Sequence, residues 1–230
     1  METIRFIMAN LPVIGQRALE HIMLVGVAVS VAIVTGVTIG ILITQSKTSA
    51  DRVLYVAAII MTIPSIALFG ILIAPLGWIA VHVPGAAAIG VRGIGAAPAF
   101  VALFLYSLLP VVANTVVGLA GVPREANEAA RGIGMTDLQR LFGIELPLAM
   151  PVILTGIRIV LVQNIGLATI AALIGGGGFG VFVFQGIGQT AMDLVLLGAV
   201  PTVVLAFAAA IVLDAVIEMT TPSRNQGRTA

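Results

Sequence analysis

The longest stretch rich in residues that could do chemistry is residues 122–151, which read VPREANEAARGIGMTDLQRLFGIELPLAMP. Its charges come without a nucleophile beside a base. The chain has no glycine-flanked serine, no paired catalytic carboxylates and no HExxH, so bond-breaking chemistry has nothing to run on. Cysteine is absent, which excludes disulfides, thiol catalysis and thiolate metal sites. His21 and His82 have no second metal ligand at useful spacing, so both are expected at a membrane interface and no metal is expected. The glycine run 175–178 is followed by Phe179 and not by Lys-Ser/Thr, so it does not cradle phosphate. It reads as a flexible or closely packed outer gate. The chemistry that remains is recognition and transmission of force.

The elements that position the polar stretch follow from local rules. Pro123 suits a first helical position, with Glu125 and Glu128 near the end of the helix that attracts negative charge. Gly132 and Gly134 can end that helix, because glycine enters left-handed conformations cheaply. Thr136 opens a second helix, with Gln139 at capping-box spacing. Leu138, Leu141 and Phe142 share a face expected to pack on a bundle beneath. Pro147 and Pro151 lead back into apolar sequence.

That sequence is a membrane sequence. Hydrophobic residues make up 60% and charged residues 9% of 230, with mean hydropathy +1.17, so the fold class is all-α integral membrane. The net charge of +1 points to no nucleic-acid partner. Spans are expected at about 21–44, 53–74, 98–119, 150–174 and 194–217, each near the roughly 20 residues a bilayer needs. Residues 1–20 form no signal peptide. Ile4, Ile7, Met8 and Leu11 suggest instead an interfacial helix. Residues 75–97 read as an interfacial loop with room for one short helix and with Trp78, His82 and Arg92, and residues 220–230 as a polar cytoplasmic tail. Five spans put the termini on opposite sides. With the C-terminus inside, Lys47, Arg52, Arg124, Arg131, Arg140, Arg224 and Arg228 are cytoplasmic, and only Arg5, Arg17 and Arg92 are outside.

Within the spans, an arginine at mid-depth costs about 2.5–3.5 kcal/mol on insertion scales and needs a partner or a route to the surface. Arg158 is such a residue, and Asp214 and Glu218 lie at matching depth, so a structural ion pair with one of them is expected. Candidates for a solute path are Thr62, Pro64, Ser65, Tyr106, Pro110, Asn114, Thr115, Asn164 and Thr169. The mid-span prolines either open that path or only shape packing, and Gln163, Asn164 and Thr169 either meet solute or bond across helices.

These residues also carry a resemblance. Glu128-Ala129-Ala130, Gly134, Ile144 and Leu146-Pro147 are spaced as in the EAA loop of ABC-importer permeases, which implies a cytoplasmic coupling hairpin on a five-helix type I permease core (loop 122–148, permease domain 21–219). TIPSIAL at 62–68, ALFLYSLLP at 102–110 and ALIGGGG at 172–178 are similar to osmoprotectant permeases, which import glycine betaine, choline and carnitine. The resemblance covers residues 53–214 and implies a cytoplasmic ATPase dimer holding ATP and Mg, a second permease subunit, an extracytoplasmic solute-binding protein and an inner-membrane location. Another small solute, such as methionine or proline, is the alternative. An ion-coupled secondary transporter would need inverted repeats and a carboxylate relay, and neither is evident. A membrane scaffold is not excluded by the hairpin alone.

Overall fold

A computed structural model describes residues 11–221, and every regular element among them is a helix. In chain order these are α1 (Leu11–Thr44), α2 (Lys47–Thr62), α3 (Ser65–His82), α4 (Ala96–Ala120), α5 (Arg124–Gly132) and α6 (Asp137–Arg140). A π-helical stretch, Leu141–Glu145, joins α6 to α7 (Leu146–Ala171). A 3-10 turn (Ala172–Ile174), α8 (Gly180–Gln189) and α9 (Met192–Thr220) complete the order. Helix is the physical answer here even for runs rich in valine and isoleucine, since hydrocarbon offers backbone groups no water to bond. Among the described residues five helical stretches are long and apolar enough to cross a membrane: Leu11–Thr44, Ser65–His82, Ala96–Ala120, Asp137–Ile174 and Met192–Thr220.

The core is built where α1, α4 and α7 meet. The buried face of α1 runs through Val25, Ala28, Val29, Ala32, Gly36 and Gly40 at helical spacing. A Cβ on Gly36 would sit 2.7 Å from Val111 Cγ1, and one on Gly40 2.6 Å from Thr115 Cβ. Two glycines one turn apart thus let α1 lie directly on α4, the small-residue contact that membrane helices use in place of a hydrophobic drive. Gly156 does the same for α7, where a Cβ would meet Asn114 Cβ at 2.7 Å. In α4 39% of the span is buried, but in α3 and α9 only 11%, so α4 is the axis and α3 and α9 are the flanks.

Four expectations are corrected. Residues 11–20 are not a separate interfacial segment, because α1 begins by Leu11 and continues unbroken. Gln16 and Arg17 do not interrupt it, since both bond to Glu20 on the same face (3.0 and 2.8 Å). The interfacial reading of residues 1–10 and the tail reading of 222–230 lie outside the described residues. The second span is not one kinked helix at 53–74. Proline drives its predecessor out of helical conformation, and Ile63 is extended (φ −70, ψ 127), so α2 stops and α3 restarts at Ser65. The helix α3 then runs through Pro75 to His82, which shortens the expected 75–97 loop and puts Trp78 and His82 on a helix, rings stacked 4.6 Å apart. The fourth span starts well before residue 150, because α6, the π-helical stretch and α7 are one continuous rod.

Candidate functional site

The hairpin between α4 and α7 is closed by its own sequence. Pro123 stands just before α5, extended at ψ 136 and not at its first helical position. At the other end Gly134 takes φ +81. Its N–H donates to Arg131 O (3.0 Å), and that of Met135 to Ala130 O (3.1 Å), the paired bonds of a Schellman stop. The capping box is complete: Gln139 N–H donates to Thr136 Oγ1 at 3.3 Å, and Thr136 N–H to Gln139 Oε1 at 2.9 Å. Arg140 links Glu145 through Nε (2.8 Å) and Asp137 through Nη1 (2.9 Å), tying α6 to the π-helical stretch within the rod. A polar cleft of about 440 Å³ lies behind it, walled by Thr44, Gln45, Asn127, Arg131, Arg140 and Glu145.

Of the expected coupling residues, Glu128, Ala129, Gly134 and Pro147 are exposed, Ile144 and Leu146 are half-buried, and Ala130 is buried against the bundle. The expected packing face is corrected. Leu141 does pack against the core cluster of Leu119, Val122, Ala149 and Ile153, but Leu138 and Phe142 point outward, 68% and 66% exposed. With Ile133, also exposed, these side chains give the hairpin an apolar outer surface among charges.

Arg158 and Asp214 meet. Nη2 donates to Oδ2 at 2.9 Å and Nε lies 2.6 Å from Oδ1 without hydrogen-bond geometry, an ion pair joining α7 to α9. Glu218, the other candidate, is exposed one turn further along α9 and takes no part in this pair. The path candidates divide. Tyr106 Oη donates to Ile63 O, the carbonyl freed where Pro64 interrupts the second span, so the break and the tyrosine form one unit. Thr62 is exposed and bonds to Ile59 O (2.7 Å), and Ser65 is half-buried at the start of α3. Asn114 bonds to Pro110 O (2.8 Å) and Thr115 to Val111 O (2.8 Å), each within α4. Asn164 reaches from α7 to Ser107 Oγ at 2.7 Å. Thr115 and Asn164 are fully buried inside the subunit; Asn164 ties α7 to α4, and Thr115 sits against Gly40 of α1. Thr169 is half-buried, its hydroxyl without a partner among the described residues.

Two further residues were missed as site components. His21 is not interfacial: it is fully buried and bonds through Nε2 to Ile165 O (3.0 Å), beside Phe179. Glu20 Oε2 accepts the N–H of Gly178 at 3.0 Å. Together they hold the glycine run, where Gly175, Gly177 and Gly178 all take positive φ. Gly178 lies so close to His21 that a Cβ would come within 2.9 Å of Nδ1. The run is therefore a tightly packed turn, which sharpens the reading of it as a gate. The available signal was Glu20 itself, an acid on an apolar helix whose charge needs a donor. Among the described residues no three His, Asp or Glu side chains converge as metal ligands would.

Residues 15–225 match the family model described as binding-protein-dependent transport system inner membrane component. The osmoprotectant import permease protein OsmW of Salmonella typhimurium is 44% identical over 93% of both chains. The choline transport system permease protein OpuBB of Bacillus subtilis is 35% identical over 97% of this chain and 95% of its own. Among solved structures, a chain of the inward-facing MetNI methionine ABC transporter superposes with a TM-score of 0.78 at 21% identity, covering 93% of this chain and 99% of that one.

Proposed function

This chain belongs to the family of inner membrane components of binding-protein-dependent transport systems, and from that premise we propose how it works and for what solute. It is a permease subunit for osmoprotectant quaternary amines such as glycine betaine and choline. Its relatives named for osmoprotectant and choline transport match it over nearly its whole length. The N-terminus lies outside and the C-terminus in the cytoplasm, as the bias of basic residues requires. The hairpin then faces the cytoplasm.

The observation that carries the coupling role is the hairpin's division of labour. Its turns are capped from within, while Leu138, Phe142 and Ile133 remain exposed. A surface that does not need its apolar side chains for its own fold has them available for a partner. That partner is a cytoplasmic ATPase dimer, which would hold ATP and Mg and do the hydrolysis. This chain is the non-catalytic subunit. A second permease copy or homologue and an extracytoplasmic binding protein complete the importer, and solute choice rests mainly with the binding protein. Closure of the ATPases pushes the hairpin, and the continuous rod from Asp137 carries that displacement towards the glycine turn. The result is a two-state change biased by nucleotide.

The test is reconstitution with the ATPase and binding protein and a panel of glycine betaine, choline, carnitine, proline and methionine. ATP-dependent uptake of the quaternary amines is expected, and uptake driven by an ion gradient without ATP would refute the reading. Gly134→Trp meets no neighbour within 4 Å of its Cβ position, but at φ +81 it strains the stop between α5 and α6 and so perturbs the hairpin alone. It should leave the subunit in the membrane but abolish solute-stimulated ATP hydrolysis. Normal stimulation in that variant would remove the coupling role.

A further inference from the structure

The Arg158–Asp214 pair stands where an ion pair has little reason to be if its surroundings are lipid. The side chains are 38% and 50% exposed, on helices that both qualify as membrane spans. Arg158 is twelve residues beyond Leu146 on α7 and Asp214 six residues before the end of α9 at Thr220, so the pair lies in the half of the two helices nearer the hairpin. Charged side chains at such depth face a bundle interior or a water-filled cavity, because hydrocarbon solvates neither charge. The interior is already occupied by the α1–α4–α7 core, and the pair lies outside it. The neighbouring exposed face is mixed: Thr155 lies one turn towards the hairpin and Glu218 one turn beyond Asp214. These polar groups flank the pair on a face that also exposes Ile159 and Ile211.

We propose that this face lines the solute path, and that the pair is a station for a small zwitterion. The solute's carboxylate lies on the Arg158 guanidinium, and its cationic group lies towards Asp214 and Glu218. An arginine has five N–H donors in a planar fork, and Asp214 lies against two of its nitrogens, so a carboxylate can be accepted at the remaining edge without breaking the pair. A pair that shows both charges to water is complementary to a molecule that carries both. The carboxylated quaternary amines are such molecules. Choline, with a hydroxyl in place of the carboxylate, offers the arginine a neutral acceptor and no charge. The proposal rests on the quaternary-amine reading above and assigns it a site.

Two measurements on the assembled importer test it. The chain has no cysteine of its own, so single cysteines report without background. In inverted vesicles, Thr155→Cys and Ile211→Cys should react with a membrane-impermeant maleimide about tenfold faster than Val34→Cys on α1, because a thiol ionises in water and not in lipid. Both substitutions leave the pair intact. Failure to react, or disulfide cross-linking between two permease copies in place of labelling, overturns the proposal in favour of lipid or a subunit interface. In uptake, Arg158→Gln should lower glycine betaine transport about tenfold or more and leave choline within about twofold, as loss of one charged hydrogen bond implies. Equal loss for both solutes, or full recovery of both in the Arg158→Asp/Asp214→Arg exchange, makes the pair a brace only. Transport of choline without glycine betaine by the unaltered importer would also refute the zwitterion station. If neither is carried, the quaternary-amine reading fails, and the labelling result alone decides whether the face is wet.

Discussion

The two ends of the long rod from Asp137 to Ile174 each finish in a glycine turn, and the two are built differently. At the hairpin end, Gly134 stops α5 and Thr136 starts α6 using bonds no more than five residues apart. A Cβ at Gly134 would meet nothing. At the other end Gly175–Gly178 is held by Glu20 and His21, which belong to the first helix, and a Cβ at Gly180 would lie 1.9 Å from Thr169 O. Both turns carry local stop bonds, at the outer end Gly175 N–H to Ala172 O and Gly176 N–H to Ala171 O; the hairpin turn is left open, and the outer one is clamped in addition by distant chain and left no room. The hairpin proposed as the coupling surface can thus fold before a partner arrives, whereas the glycine turn is closed by the rest of the molecule.

That contrast can be broken most severely at Gly180. Gly180→Ala forces a methyl into a backbone carbonyl, and overpacking of this kind should cost about 3 kcal/mol or more. The expected outcome is loss of folded subunit, read as membrane abundance and as thermal aggregation in detergent. Normal stability would show that the outer turn yields. Glu20→Ala is next. It leaves the Gly178 N–H without its acceptor and should destabilise by about 1–3 kcal/mol. Faster amide exchange should then be confined to residues 175–180, and exchange that rises equally in the hairpin would erase the distinction between the two ends. The smallest effect is expected at the hairpin. Leu138→Ala removes an exposed side chain and should change subunit stability by less than about 0.5 kcal/mol. Co-purification of the ATPase should nonetheless fall, and unchanged ATPase retention would show that Leu138 is not part of the docking surface.

The same contrast explains what was legible in the sequence. The hairpin's stop and start signals could be read because caps are written within a few residues of where they act. Its packing face could not, because periodicity says that Leu138, Leu141 and Phe142 share a side and not where the neighbouring helices lie. The Arg158–Asp214 pair was legible from the cost of a charge in a span, which leaves few partners at the same depth. His21 was misread since its acceptor, Ile165 O, is 144 residues away, and nothing local distinguishes an interfacial histidine from a buried one. The second span was misdrawn for a different reason. A hydropathy window passes over Pro64 and averages Pro75 with its apolar neighbours, while the backbone responds to the first by breaking and to the second by continuing. The break also depends on Tyr106, whose hydroxyl bonds the freed carbonyl from another helix.

The distant bond of His21 also sets an order on biogenesis. The first helix is synthesised and inserted long before the carbonyl that its imidazole needs. At about 5–20 residues per second, a separation of 144 residues corresponds to roughly 7–30 s between the two. Throughout that interval a helix with a bare imidazole and an exposed glycine groove at Gly36 and Gly40 must wait beside the insertion machinery until α4 and α7 arrive. Nascent chains arrested after α4 should therefore remain cross-linkable through residue 21 to the insertion machinery, and chains extended past α7 should release it.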